Sequence, residues 1–172
     1  YKLVELDDKF GLVKGSRRVV DLGVAPGGWT QVVRQRSPQA AVVGIDLLPT
    51  DPIEGAILFQ MDFMADEAPD ALLEALGGAP DLVISDMAPN LSGIASADAA
   101  RVELLIELAL EFAQAHLKPE GALVAKVFHG ASYDTLYKRF TQTFKSVKRV
   151  KPKASRDKSA ETFLVGMGLK SA

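Results

Sequence analysis

Arg18-Val19-Val20-Asp21-Leu22-Gly23-Val24-Ala25-Pro26-Gly27-Gly28-Trp29 is the stretch on which the fold turns. It opens with an apolar run, Arg18 to Gly23, of the kind that forms a buried strand, and it runs into a glycine turn. A short helix follows from Trp29 to Arg36. Outward from this unit the same alternation repeats. Strands are expected at Ala41 to Asp46, Ala56 to Gln60, Asp81 to Asp86 and Ala122 to Phe128. Helices are expected at Ala68 to Leu76, Ser96 to Leu117 and Tyr133 to Phe144. The longest of these carries Val102, Leu105, Ile106, Leu108, Ala109, Phe112, Ala113 and Leu117 at three- and four-residue steps, and Pro119 and Gly121 stop it. Two further strands, Ser146 to Lys151 and Thr162 to Gly168, are joined by a polar, Pro-containing segment too short for a helical crossover. They are expected to pair antiparallel, as a hairpin at one sheet edge. The sum is an α/β fold, with a seven-stranded, mostly parallel sheet and helices on both faces.

Composition sets the frame. The chain has 172 residues, 48% of them hydrophobic and 24% charged, which suits one domain spanning 1–172. No apolar run reaches the roughly 18 residues of a membrane helix. The opening Tyr1-Lys2-Leu3 lacks the charged-then-apolar pattern of a signal peptide. The sequence contains no cysteine, which excludes disulfides and thiolate metal sites and fits a cytoplasmic location. It also argues against methylation at C5 of a pyrimidine, a reaction that normally uses a thiolate. Two histidines, His116 and His129, give no metal site and read as surface or strand-end residues.

The net charge of −2 conceals a separation. Residues 138–158 hold nine basic side chains, Lys138, Arg139, Lys145, Lys148, Arg149, Lys151, Lys153, Arg156 and Lys158, opposed by Asp157 alone. Two readings stand side by side: a face that grips a polyanion, or a solvated helix end and charged edge strand.

In an open doubly wound sheet, ligands bind beyond the carboxyl ends of the strands. Asp21, Asp46, Asp62 and Asp86 stand at or just after expected strand ends. A dinucleotide turn wants G-x-G-x-x-G, whereas this chain has Gly23-x-Ala25-x-x-Gly28, and Pro26 removes a backbone donor. S-adenosylmethionine carries a sulfonium cation and no phosphate, so a carboxylate-rich pocket suits it better than NAD. Asp46 fits a ribose diol, and Asp62 can accept from an adenine amino group. The bland alternative makes each aspartate a cap or turn residue.

Asp86-Met87-Ala88-Pro89-Asn90 follows the fourth strand without the aromatic that N-methyltransferases use to stack a base. Lys126 interrupts the strand formed by Ala122, Leu123, Val124, Ala125, Val127 and Phe128. A lysine in an apolar strand needs a charge partner or a task. Methyl transfer to an alcohol needs the hydroxyl deprotonated or nearly so, and a desolvated lysine can be that base. Nearby carboxylates oppose such a role and a second cation favours it.

At these residues the chain resembles the FtsJ/RrmJ family of ribosomal RNA 2′-O-ribose methyltransferases. The resemblance is carried by Tyr1-Lys2-Leu3, the Asp21 to Trp29 turn, Asp46-Leu47-Leu48-Pro49, Ser85 to Asn90, Lys126-Val127-Phe128 and Glu161. It implies a Rossmann-like S-adenosylmethionine-dependent methyltransferase fold and a catalytic set at Lys2, Asp86, Lys126 and Glu161. It further implies cofactor contacts at Gly27, Trp29, Asp46, Asp62 and Asp86, with Lys2 as the second cation. The implied substrate is a uridine in the A-loop of large-subunit (23S) ribosomal RNA, within the 50S particle, acted on by a monomer. Family members carry a basic stretch before the aromatic-Lys-Leu motif, and this sequence begins at that motif. The rival readings are a cap-type RNA 2′-O-methyltransferase and a non-catalytic RNA-binding ribosome assembly factor. The first needs a cap-stacking aromatic pair for which candidates are few. The second leaves the intact lysines and carboxylates without a task.

Overall fold

The computed structural model describes residues 2–87, 95–128, 130, 133–151 and 161–170. The chain order is α1 (Lys2–Phe10), β1 (Arg18–Leu22), α2 (Gly28–Arg36), β2 (Ala41–Asp46), β3 (Ala56–Gln60), α3 (Ala68–Leu76), β4 (Leu82–Ser85), α4 (Ala95–His116), β5 (Ala122–Phe128), α5 (Tyr133–Thr143), β6 (Phe144–Val150) and β7 (Glu161–Leu169). One seven-stranded sheet holds them in the order β3-β2-β1-β4-β5-β7-β6. The first five strands in that row are parallel neighbours. β7 runs antiparallel to both β5 and β6, so the expected hairpin forms the edge with its second strand on the inside.

Alternation along the strands feeds two apolar layers. Val20, Leu22, Val43, Val83, Leu123 and Val127 point to the face covered by α3, α4 and α5. Val19, Val42, Leu82, Ile84, Val124 and Phe163 point to the face covered by α1 and α2. Residues buried on both sides of a parallel sheet read as continuous apolar runs, which is why β1, β4 and β5 were legible.

Most boundaries fall within one residue of expectation; one departs by two residues, and one element is unexpected. β6 begins at Phe144, two residues early, because the Phe144 ring is buried over Gly166, where any side chain would collide with it. An apolar residue at such a junction suits a helix end and a strand start equally well. The unexpected element is α1. Leu3 and Leu6, both fully buried, anchor it with the partly buried Phe10 at its end, and so few apolar positions in nine residues give periodicity too little length to act on. Its polar anchor is Asp7, which accepts from the backbone N–H groups of Val13 (2.7 Å) and Lys14 (3.2 Å) and pairs with Arg36 (2.8 Å).

Candidate active site

The turn after β1 is pinned at its first residue. Gly23 adopts φ 82°, and a Cβ there would lie 2.7 Å from the carbonyl oxygen of Asp86. Its N–H donates to the Ile45 carbonyl (2.9 Å), while the Asp86 N–H donates to the Leu22 carbonyl (3.0 Å). The absence of a side chain at Gly23 thus lets the ends of β1, β2 and β4 close onto one another and puts Asp86 at their junction.

Four charges meet beside that junction. The Lys126 ammonium lies 2.5 Å from Asp86 Oδ1 and 4.0 Å from Glu161 Oε2. Lys2 donates from α1 to the other Glu161 oxygen. Register explains the meeting. Phe128 pairs with Glu161 and Lys126 with Phe163, and facing positions in an antiparallel pair share a sheet face. That face is the one α1 covers, so α1, the element the pattern did not disclose, delivers Lys2. Burial pushes the Asp86 carboxyl above the usual carboxylate range, although Lys126 opposes the shift. Lys151 Nζ donates to the Glu161 carbonyl at 3.1 Å, which fixes the start of β7 from the neighbouring strand.

Next to this cluster lies a cavity of about 240 Å³, whose lining includes Gly23, Asp46, Asp62, Phe63, Met87 and Arg101. Gly23 and Met87 border both features, so the cavity and the four charges are adjoining parts of one site. Asp46 Oδ2 accepts from the Ala25 N–H (2.9 Å) and Oδ1 from the Leu48 N–H (3.0 Å). Asp62 Oδ1 accepts from the Met64 N–H (2.8 Å). Both aspartates therefore brace their own turns. Each oxygen has a second lone-pair direction, so that bracing leaves acceptor capacity towards a ligand.

Gly27 and Trp29 lie outside the lining of this cavity. Gly27, at φ 112°, caps α2 with Ile53 packed where its side chain would be. Trp29 is half-buried with its ring 5.4 Å from that of Phe163, the register partner of Lys126. Asp21 is 1% exposed on β1 and accepts from the Thr30 hydroxyl at 2.7 Å, while its other oxygen has no hydrogen-bond partner among the described residues. Arg101 and Leu104 reach the cavity from α4, and helical periodicity gave no sign of it because both occupy the flank of an already assigned amphipathic face. Phe128, quoted above only as part of its strand and of the motif that carries the resemblance, lies two residues beyond Lys126 on the same face. Its signal was present in the strand's two-residue alternation.

Ala88, Pro89, Asn90 and His129 lie outside the described residues, as do Tyr1, Lys153, Arg156, Asp157 and Lys158. His116 packs against Phe112 at 5.1 Å between ring centroids. The described part of the basic segment is mixed in character. Arg139 pairs with Glu107 at 3.3 Å and Arg149 lies 4.8 Å above the Tyr137 ring, whereas Lys145 and Lys148 are exposed. Among the described residues, no group of three His, Cys, Asp or Glu side chains could hold a metal, and no helix is long and apolar enough to cross a membrane.

Comparison with known proteins shows the family and agrees with this fold. The sequence profile described as FtsJ-like methyltransferase matches residues 1–169. The chain is 58% identical to the ribosomal RNA large subunit methyltransferase E of Albidiferax ferrireducens, over 99% of its own length and 83% of the relative's. It is 59% identical to the protein of the same name from Variovorax paradoxus, over 99% and 82%. A crystal structure of a Plasmodium falciparum protein assigned as a ribosomal RNA methyltransferase superposes with a TM-score of 0.84 at 27% identity, covering 100% of this chain and 97% of the other.

Proposed function

Because this chain belongs to the FtsJ-like methyltransferase family, we propose that it transfers a methyl group from S-adenosylmethionine to a ribose 2′-hydroxyl of large-subunit ribosomal RNA, at a uridine of the A-loop. The observation that carries this reading is the Lys126 ammonium between Asp86 and Glu161, with Lys2 on the far oxygen of Glu161. Acceptors and cations alternate there around one lysine at the edge of a cavity. That suits the orientation and deprotonation of an alcohol, and it offers nothing to a thiolate or an exocyclic-amine chemistry. The relatives' name supplies the substrate class, a ribosomal RNA of the large subunit.

The cavity suits the methyl donor by its chemistry. Ile45, Phe63, Met87 and Leu104 give apolar walls for an adenine, and Asp46 and Asp62 give acceptors for a diol and an exocyclic amine. The cofactor supplies an electrophilic methyl carbon. The chain does the rest. Asp46 and Asp62 hold the nucleoside end, and Asp86 spans the boundary between cavity and cluster. Lys126 meets the ribose hydroxyl, either accepting its proton as the neutral amine or fixing its oxygen by charge as the ammonium, and is kept in place by Asp86 and Glu161. Lys2 supplies the second positive charge that favours an alkoxide-like oxygen. The exposed Lys145 and Lys148 belong, in this reading, to the RNA-facing side, with the 50S particle as substrate and a single 1–172 domain acting as a monomer in the cytoplasm.

The experiment is methyl transfer from labelled cofactor to large ribosomal subunits that lack the modification, and to naked RNA, followed by mapping of the modified nucleotide. A 2′-O-methylated uridine in the A-loop is expected. Label on a base, or on no RNA, overturns the reading. Calorimetry tests the cofactor separately. Asp46→Ala should weaken binding of S-adenosylmethionine or its demethylated product by about 1–3 kcal/mol, and tighter binding of NAD than of either would exclude this donor.

A further inference from the structure

We propose that the Phe128 ring is the platform on which the base of the target nucleotide stacks. The proposal rests on the ribose-methylation reading, since it presumes a nucleotide presented to Lys126, and it adds which residue seats the base.

Among the described residues, the large apolar side chains left exposed are Leu47, Leu48, Ile57, Met64, Leu104 and Phe128. Leu47, Met64 and Leu104 line the cofactor cavity and are accounted for by it. Phe128 is the aromatic of the set, 42% exposed, and it ends β5 on the face that carries the four charges. Lys126 Nζ lies 5.8 Å from its ring centroid, and its register partner is Glu161. An exposed phenylalanine far from a site needs no explanation. This one borders the ammonium that meets the substrate hydroxyl.

The chemistry of a nucleotide makes the juxtaposition useful. The base is bonded to the sugar carbon adjacent to the one bearing the 2′-hydroxyl. Any nucleotide whose 2′-oxygen sits at Lys126 therefore has its base within a side chain's reach of Nζ, which is where the Phe128 ring stands. In-line transfer requires the sugar to be held in one orientation as well as one place. Lys126 fixes the oxygen, and a stacked base fixes the rotation of the sugar about it. Every base has a π-face, so stacking seats the nucleotide without choosing its identity. The Lys126 ammonium near the ring strengthens the arrangement, because a cation and an aromatic ring attract each other.

The test compares Phe128→Leu, which keeps apolar bulk without a ring, with Phe128→Tyr, which restores the ring. Unmethylated large ribosomal subunits serve as substrate, with KM for the particle and kcat measured apart and cofactor affinity measured by calorimetry. Loss of one stacked base should raise the KM of Phe128→Leu, or lower its kcat/KM, by roughly 5- to 150-fold. Cofactor affinity should stay at the wild-type value, and Phe128→Tyr should recover most of the loss. A purely structural role would lower cofactor affinity too and would not be rescued by Tyr in particular. Wild-type kinetics in Phe128→Leu, or no rescue by Tyr, overturns the proposal. If the wild-type protein leaves the ribose unmodified, the function reading fails by itself. Stacking is then decided by the affinity of the same proteins for a short oligouridylate and for that oligomer with one base removed. Removing the base must weaken the wild type and leave Phe128→Leu unaffected, and equal losses in both overturn the proposal.

Discussion

The two ends of the sheet treat the same residue type in opposite ways. At the end where the strands begin, Asp81 accepts from the backbone N–H groups of Arg17 and Arg18, both at 2.8 Å, and pairs with Lys118 at 3.1 Å. Burial there would raise its carboxyl, yet these donors outweigh burial and hold it below the usual carboxylate range. Asp7 behaves likewise, with Arg36 and the Val13 and Lys14 amides prevailing over burial. At the end where the strands finish, burial wins. Asp86 and Asp21 are both pushed up, and Asp21 is repelled further by Asp86 and Asp46. Carboxylates with saturated donors tie segments together. Carboxylates gathered at one pole without enough donors make a local excess of negative charge, which is where a cation such as a sulfonium, or a lysine base, finds its place. The difference separates aspartates whose donors outweigh burial from aspartates whose burial outweighs their donors.

The largest effect should come from the centre of the charged cluster. Lys126→Ala and Lys126→Arg are each expected to lose at least about 10²–10⁴ in single-turnover methyl transfer, the scale of a lost general base, with cofactor affinity near normal. Arginine keeps the charge and cannot give up its proton, so a near-wild-type rate in Lys126→Arg would reduce the lysine to a steering charge. Asp86→Ala should lose turnover together with some cofactor affinity, since Asp86 borders both halves of the site. Glu161→Ala should be milder, because water can take over part of its contact with the lysines.

The opposite pole should give the opposite kind of loss. Asp81→Ala leaves the Arg17 and Arg18 amides and Lys118 without their acceptor, and is expected to lower the unfolding free energy by about 1–3 kcal/mol, read by urea titration. The rate per folded molecule should not change. A turnover defect larger than the folding defect would mean that the two poles are coupled, and the contrast between them would fail.

Much of this division was legible in the residues. β2, β3, α3 and β5 begin and end where the apolar pattern puts them, because β2, α3 and β5 are buried on a full face and leave a periodic trace, while the partly exposed β3 shows as a short apolar run between turns. The site was legible wherever chemistry clashed with its surroundings, as with Lys126 in an apolar strand or four aspartates after strand ends. What stayed hidden depended on tertiary contact. Lys2, named in the sequence by the family resemblance alone, reaches Glu161 only because α1 docks through Leu3 and Leu6, and proximity alone reveals the way Asp46 and Asp62 brace their turns while lining a cavity. The insertion of β7 between β5 and β6 was hidden too, since a hairpin has the same sequence whichever of its strands faces inward. That insertion puts Glu161 opposite Phe128 and so completes the cluster.

Asp21 gives the smallest and sharpest test of the polar contrast, because it touches neither pole's ion pairs. Its carboxyl is raised from 3.8 to about 7, first by burial and then by the charges of Asp86 and Asp46, with the Thr30 hydroxyl opposing. The folded protein therefore holds this proton more tightly than the unfolded chain does. The stability so contributed is fully present below about pH 4 and is lost as pH rises through about 7. Within that window the loss is at most about 1.4 kcal/mol per pH unit, the value for a single proton. Asp21→Asn keeps an acceptor for Thr30 and carries no proton to lose. Unfolding free energies of the two proteins, measured by urea titration from pH 4 to 8, should diverge in favour of the variant as pH rises and then run parallel. Titrating groups that do not interact with Asp21 cancel in the difference, which leaves Asp21 and its coupling to Asp86 and Asp46. For Asp81→Asn the sign reverses: a carboxyl held low contributes stability above its unfolded value, so the advantage of the wild type over that variant should shrink on acidification. Two differences that move in opposite directions with pH would establish the contrast thermodynamically. A flat difference for Asp21→Asn would show that folding leaves its carboxyl unshifted, and one that moves like that of Asp81→Asn would show it satisfied like those at the other end.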